Sequence, residues 1–153
     1  MKTFTDEFKQ WLIEYVDMYR STKDGAWLYE VDYVNMKYAW DMTEYKLNSQ
    51  PSTWKKKLLN KLFGGIMGKY NIFRNEVSLM YGEAVDSPHA TMRKFWIKTL
   101  MPTVIHELWH SRQYKQHKLQ YLLQCNLITR QSKIEDSADV QTELAEKFFE
   151  PLP

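Results

Sequence analysis

Apolar residues along this chain recur at helical spacing, except in one stretch near residue 70 where the pattern changes. From Asp6 to Arg20, the residues Phe8, Trp11, Leu12, Tyr15, Val16 and Tyr19 fall at steps of three and four, the stripe of an amphipathic helix. After the Lys23-Asp24-Gly25 turn, Trp27, Val31, Val34, Tyr38, Met42 and Tyr45 keep similar steps. This predicts a second helix, although the β-branched and aromatic residues between Trp27 and Tyr38 also suit a strand. Asn48-Ser49-Gln50-Pro51-Ser52 breaks the pattern, and Trp54 to Phe63 then reads as a short basic helix ended by Gly64-Gly65. Residues 1–65 are thus expected to form a helical N-terminal part.

Between the turn residues Gly68 and Gly82, Ile72, Phe73, Val77, Leu79, Met80 and Tyr81 predict β-structure over 70–85, two short strands pairing into a small sheet. Ser87-Pro88 reads as an N-cap with proline at the first helical position, opening a helix toward Thr99. Pro102 is expected to begin a separate helix that continues through Gln116. A closing helix carries Ile134, Ala138, Leu144, Ala145, Phe148 and Phe149 and stops at Pro151. No internal repeat, low-complexity stretch or linker divides the chain, so one domain is expected.

Composition narrows the field. With 153 residues, 44% of them hydrophobic, the chain can bury a core without disulfides, and its single Cys125 rules out cysteine-rich zinc modules. The acids near the start and the lack of a ~20-residue apolar run predict a soluble, cytoplasmic protein with no membrane partner. The 6 Trp, 10 Tyr and 7 Phe mostly recur at helical spacing, which assigns them to the core and not to a base-stacking platform. Net charge is only +2, and the one dense basic run, Lys55-Lys56-Lys57, precedes apolar residues as a solvated helix face would. Charge therefore argues against nucleic acid as a partner.

The chemistry is concentrated in Thr103-Val104-Ile105-His106-Glu107-Leu108-Trp109-His110. Residues four apart stand on one helix face, so the imidazoles of His106 and His110 can converge on one cation. Glu107 points to a neighbouring side, where it can take a proton from water. With 4 His in the chain, a chance match is on the order of one in a hundred, so a third ligand is needed to make the case. Candidates are His89, His117, Cys125, Glu135, Asp136 and Asp139. His117 returns to the face of His110 but roughly 10 Å along the axis. A metzincin pattern would require glycine and histidine where Gln113 and Gln116 stand. Glu135, 25 residues beyond His110 on a separate helix, can be folded back onto the site by the intervening loop. Ser132-x-x-Glu135 is also a capping box, in which the same carboxylate would serve the helix start.

Glu135-Asp136-Ser137-Ala138-Asp139 beside the His-Glu-x-x-His helix resembles the gluzincin group of zinc metallopeptidases. Those pair the histidine motif with a downstream Glu-x-x-Ala-Asp or a close variant. The segment from Val104 to Tyr114 is similar to the active helix of compact peptidase domains with Gln three residues after the second His. The resemblance covers about residues 99–149. It implies an α+β, mostly helical, zincin-like minimal domain in which a helix pair within 102–149 carries the metal site beside a small sheet. It further implies Zn2+ bound by His106, His110 and Glu135, with Asp139 orienting a ligand imidazole and Glu107 as general base. A peptide or protein would be the substrate, lying along an edge strand of 70–85. The oxyanion donor is left open among His89, Arg112, Tyr114 and Tyr121. The rival reading is a non-catalytic, zinc-stabilised module that binds a protein partner. Ile105, Leu108, Val140, Leu144 and Phe148 are expected to be buried as the apolar partners of the two metal-site helices.

Overall fold

A computed structural model describes residues 2–3, 5–40, 68–71, 73–79, 90–118 and 133–152. The basic helix expected over Trp54 to Phe63, and the run Lys55-Lys56-Lys57 within it, lie outside the described residues. In order along the chain come β1 (Lys2–Thr3), α1 (Asp6–Arg20), a 3₁₀ turn (Ala26–Glu30), β2 (Lys37–Trp40), β3 (Gly68–Asn71), β4 (Glu76–Leu79), α2 (Ala90–Gln116) and α3 (Lys133–Phe149). The architecture is α+β and mostly helical, as the sequence predicts.

The first helix forms where its stripe places it. Thr5 caps it, its hydroxyl accepting from the Phe8 N–H at 3.3 Å. Asp6 and Glu7 lie in the first turn and Arg20 in the last, each sign placed to complement the helix dipole. Phe8, Leu12, Val16 and Tyr19 are buried from this face. The chain then turns through Thr22, whose hydroxyl accepts from Gly25 N–H at 3.1 Å.

The segment from Trp27 onward is not the helix its spacing predicts. After the 3₁₀ turn the backbone is extended at Val31, and β2 begins at Lys37. Burial explains why: Val31, Tyr33, Met36, Tyr38 and Ala39 are buried, while Asp32, Val34, Asn35 and Lys37 are exposed. This is largely a period of two, shifted once where the Asp32 carboxylate caps the Asn35 backbone N–H. The helical pattern required Val34 inside, whereas it is 49% exposed. Residues 1–65 are therefore not a purely helical part, since β1, the 3₁₀ turn and β2 all belong to it.

The sheet has the order β1-β2-β4-β3. β1 runs antiparallel to β2, β2 parallel to β4 with Tyr38 opposite Val77, and β4 antiparallel to β3 with Val77 opposite Tyr70. The expected pair of strands is thus present within 68–79. Its turn uses the Asn71 carboxamide oxygen to accept from the N–H groups of Phe73 and Arg74, at 2.9 and 3.1 Å. Asn75, at φ 48°, takes the left-handed conformation that asparagine tolerates. Inner strand β4 is buried at Val77, Ser78 and Leu79, and β3 is an edge among the described strands.

Helix α2 is the centre of the molecule, packing against α3, α1, β3 and β4. It is one helix of 27 residues with Pro102 inside it, not two helices meeting at Pro102. An internal proline forfeits one backbone hydrogen bond and costs about 3 kcal/mol. Burial offsets that cost, because Leu100, Met101, Val104 and Ile105 around the proline are all fully buried. Leu108 is buried as expected. On α3 the buried stripe is Ala138, Ala145 and Phe149, with Leu144 and Phe148 half-buried and Val140 turned outward at 53% exposure. Small alanines at the helix contact let α3 lie close to α2, and Phe148 and Phe149 close the far end against Tyr19 at ring separations of 5.3 and 5.6 Å.

At Gly25 a Cβ would stand 2.0 Å from the Tyr19 carbonyl oxygen, a backbone atom that cannot move aside cheaply. Gly25→Ala is therefore expected to lower the unfolding free energy by about 2 kcal/mol, while Asp24→Ala, at an exposed neighbour, changes it by no more than about 0.5 kcal/mol. Urea unfolding followed by tryptophan fluorescence measures both.

Candidate metal centre

The His-Glu-x-x-His turn sits in the middle of α2, where packing on both sides holds it. Toward α3, Trp109 donates its indole N–H to the Ser137 hydroxyl at 2.8 Å, and Trp27 donates to the Gln141 carboxamide oxygen at 3.1 Å. The two indoles meet edge to face at 4.8 Å, and the Arg112 guanidinium lies 4.8 Å over Trp109. Arg112 also donates from Nε to a Glu30 carboxylate oxygen at 2.7 Å. The turn is thus tied to both α3 and the 3₁₀ segment.

Within it, His106 and His110 stand with ring centroids 4.8 Å apart and their Nε2 atoms 3.1 Å apart. The partners of the other ring nitrogens decide what those Nε2 atoms are. The Thr142 hydroxyl is hydrogen-bonded to His106 Nδ1 at 2.8 Å and lies 3.0 Å from the Ala138 carbonyl, and when it donates to that carbonyl it accepts from the imidazole. The Gln113 carboxamide oxygen likewise accepts from His110 Nδ1 at 2.9 Å. With both ring protons on Nδ1, the two Nε2 lone pairs face a shared position that a cation can occupy; with the His106 proton on Nε2 the two rings hydrogen-bond to each other instead. Two nitrogens sharing one tetrahedral zinc stand roughly 3.3 Å apart, close to the spacing here.

Glu107 completes a group of three whose ligand atoms lie within 4.8 Å of one another, and it is 5% exposed. The His106-Glu107-His110 group is thus able to hold a metal ion, and the residues present fit one. Asp139, expected to orient an imidazole, has a carboxylate oxygen 3.7 Å from His106 Nδ1. The hydrogen bond itself comes from Thr142, which sequence reasoning did not single out. Its signal was present, since Thr142 is one turn past Ala138 on the helix that carries Glu135 and Asp139. Gln113, three residues after His110, holds that ring through its carboxamide oxygen.

The other candidates fall into place unevenly. Glu135 lies in the first turn of α3, with its side chain outside the described residues, as are all of His89, Tyr121 and Cys125. Asp136 and His117 are exposed, and His117 follows the last residue of α2. Arg112 is engaged by Glu30 and Trp109. Tyr114 lines a cavity of 280 Å³ beside the edge strand, together with Tyr70 and Ser111. Burial raises the pKa of Tyr70, opposed by a hydrogen bond with Ser111, and its hydroxyl donates to the Asn75 carboxamide at 2.7 Å.

Comparison of the chain with protein-family models, curated proteins and solved structures finds no match. No described helix is long and apolar enough to cross a membrane.

Thr142→Val keeps the shape and removes the hydroxyl that is hydrogen-bonded to His106 Nδ1. It is expected to weaken metal binding about tenfold, the lower end of what such outer partners contribute. Chelator competition measures this. A larger loss in Asp139→Asn than in Thr142→Val would give the orienting role to Asp139.

Proposed function

We propose that this protein is a zinc-dependent metallopeptidase, with His106, His110 and Glu135 as ligands and Glu107 as general base. The observation that carries the reading is the pair of Nε2 atoms at 3.1 Å, each ring hydrogen-bonded through Nδ1 so that its Nε2 is turned to the shared position. The donor set, two neutral imidazoles with a carboxylate, matches zinc chemistry, and three protein ligands leave one position for water or substrate. Glu135 enters because α3 already reaches the site through Asp139 and Thr142, and it precedes Asp139 by one turn on that helix.

Zinc, when bound, supplies Lewis-acid activation of water and of the scissile carbonyl. The chain supplies the rest. Glu107 is buried beside both imidazoles, where its carboxylate takes the proton of the attacking water and returns it to the leaving amine. Thr142 and Gln113 hold the imidazoles against rotation while charge develops. The peptide lies along β3, the edge strand that packs on α2, and pairs through its backbone. A purely structural metal site has no need of a buried carboxylate in the base position, which favours the enzyme over a binding module.

Purified protein is expected to contain about one zinc per chain by elemental analysis, with His110→Ala and Glu135→Ala both depleted. Full zinc content in Glu135→Ala would remove Glu135 from the ligand set. Glu107→Gln should retain metal and fold while cleavage of a broad peptide library, read by mass spectrometry, falls by about 100-fold or more. A zinc-loaded wild type that cleaves nothing in the library would make the protein a non-catalytic, metal-stabilised module.

A further inference from the structure

The 280 Å³ cavity lies next to the candidate centre and not within it. On α2, Ser111 stands one turn, about 6 Å, beyond Glu107 on the same stripe, Tyr114 carries that stripe onward, and Lys118 follows just past the helix end. Ser111, Tyr114, Lys115 and Lys118 form one wall, and Tyr70 and Asn75 of the β3–β4 hairpin form part of the opposite one. Val31 and Met36, both buried, contribute apolar lining. A substrate extended along β3 and cleaved beside Glu107 would therefore bring a neighbouring group to this opening.

The charges around the cavity are not balanced. Of its two acids, Glu30 accepts from Arg112 Nε at 2.7 Å and Gln116 Nε2 at 3.0 Å. Asp32 accepts from the Asn35 carboxamide at 3.0 and 3.1 Å. Glu30 is thus paired with Arg112, whereas Asp32 keeps its charge because its donor is a neutral carboxamide, so three cations stand against two anions around the cavity, a net charge of +1. Lys115 and Lys118 differ. Among the described residues neither forms an ion pair, and Lys118 Nζ rests 5.9 Å over the Tyr114 ring. The Tyr70 hydroxyl donates to Asn75 Oδ1. This leaves the Asn75 amide N–H groups as further donors.

We propose that this cavity is a substrate subsite for a carboxylate, in which Lys115 and Lys118 recognise the charge and Val31 and Met36 accommodate the methylenes that carry it. An apolar lining beneath a cationic rim suits a glutamate side chain in particular. The volume is just below the range that holds a drug-sized ligand, enough for one side chain and its share of backbone. That the carboxylate belongs to a peptide rests on the metallopeptidase reading. The carboxylate chemistry itself rests on the cavity. A chain-terminal carboxylate offers the same chemistry, and the two sources are separable.

The test is binding without turnover, by isothermal titration calorimetry on the full zinc-loaded chain carrying Glu107→Gln. Three acetylated pentapeptides are compared: Ala-Ala-Glu-Ala-Ala with an amidated end, the same with Gln for Glu, and the Gln peptide with a free end. The amidated Glu peptide is expected to bind about tenfold more tightly than the amidated Gln peptide, the scale of two partly exposed ion pairs. That advantage should shrink as salt is raised. It should vanish when Lys115→Gln and Lys118→Gln are added, with affinity for the amidated Gln peptide and the circular dichroism spectrum unchanged. A gain confined to the free-ended peptide and lost with the lysines would keep the carboxylate subsite and assign it to the chain end. Equal binding of all three, no binding, or a gain that survives loss of both lysines overturns the proposal. Because Glu107→Gln need not cleave anything, a wild type without peptidase activity would sink the proposed function and leave this measurement standing.

Discussion

The bond between His106 Nδ1 and the Thr142 hydroxyl is the constraint on which the site depends, because it joins the two helices and fixes the orientation of the ring. The same hydroxyl lies 3.0 Å from the Ala138 carbonyl of its own helix, to which it can donate. In a surface helix that back-bond would be a minor local matter. Half-buried between α2 and α3, it leaves Thr142 able to accept from the imidazole, the arrangement in which an Nε2 lone pair is turned toward His110. Valine at the same position would remove that partner.

The bond exists only because α2 and α3 lie close, and their closeness has a readable cause. Of the three residues α3 buries, Ala138, Ala145 and Phe149, two are small. Trp109 and Trp27 then fix the register from the other side, each donating to a polar residue of α3. Indole N–H groups buried in this way need an acceptor, and Ser137 and Gln141 supply it. Four of the residues that make these ties, Ser137, Ala138, Gln141 and Thr142, fall within six positions of one helix.

Placement of the site in the fold also accounts for the asymmetry of its surroundings. On the α3 side the motif is walled by indoles and hydroxyls. On the sheet side α2 faces edge strand β3 and the polar cavity between them, lined by groups that can meet a substrate. Arg112 marks the boundary: its guanidinium stacks on Trp109 and pairs through Nε with Glu30, so it braces the 3₁₀ segment against α2.

Much of this was legible in the residues. The stripe of α1, the limits of α3, the two strands near residue 77 and the convergence of His106 with His110 all follow from local spacing, because each depends on interactions a few residues apart. Three features were not local. Residues 31–39 read as helical because Trp27, Val31, Val34 and Tyr38 suit a period near 3.6. Only pairing with β4 in the sheet could select the period of two that leaves Val34 outside. Pro102 looked like a helix start, and only the burial of Leu100 and Met101 beside it could carry the helix through the lost hydrogen bond. Val140 looked like core by its chemistry. The packing direction of α3 is set by how closely two helices can approach, and it chose the alanines instead. By itself, then, the sequence determined which side chains could meet one turn apart and hence the histidine pair. Tertiary structure alone decided which partner each imidazole has across the helix interface, because that depends on the packing of residues 36 positions apart.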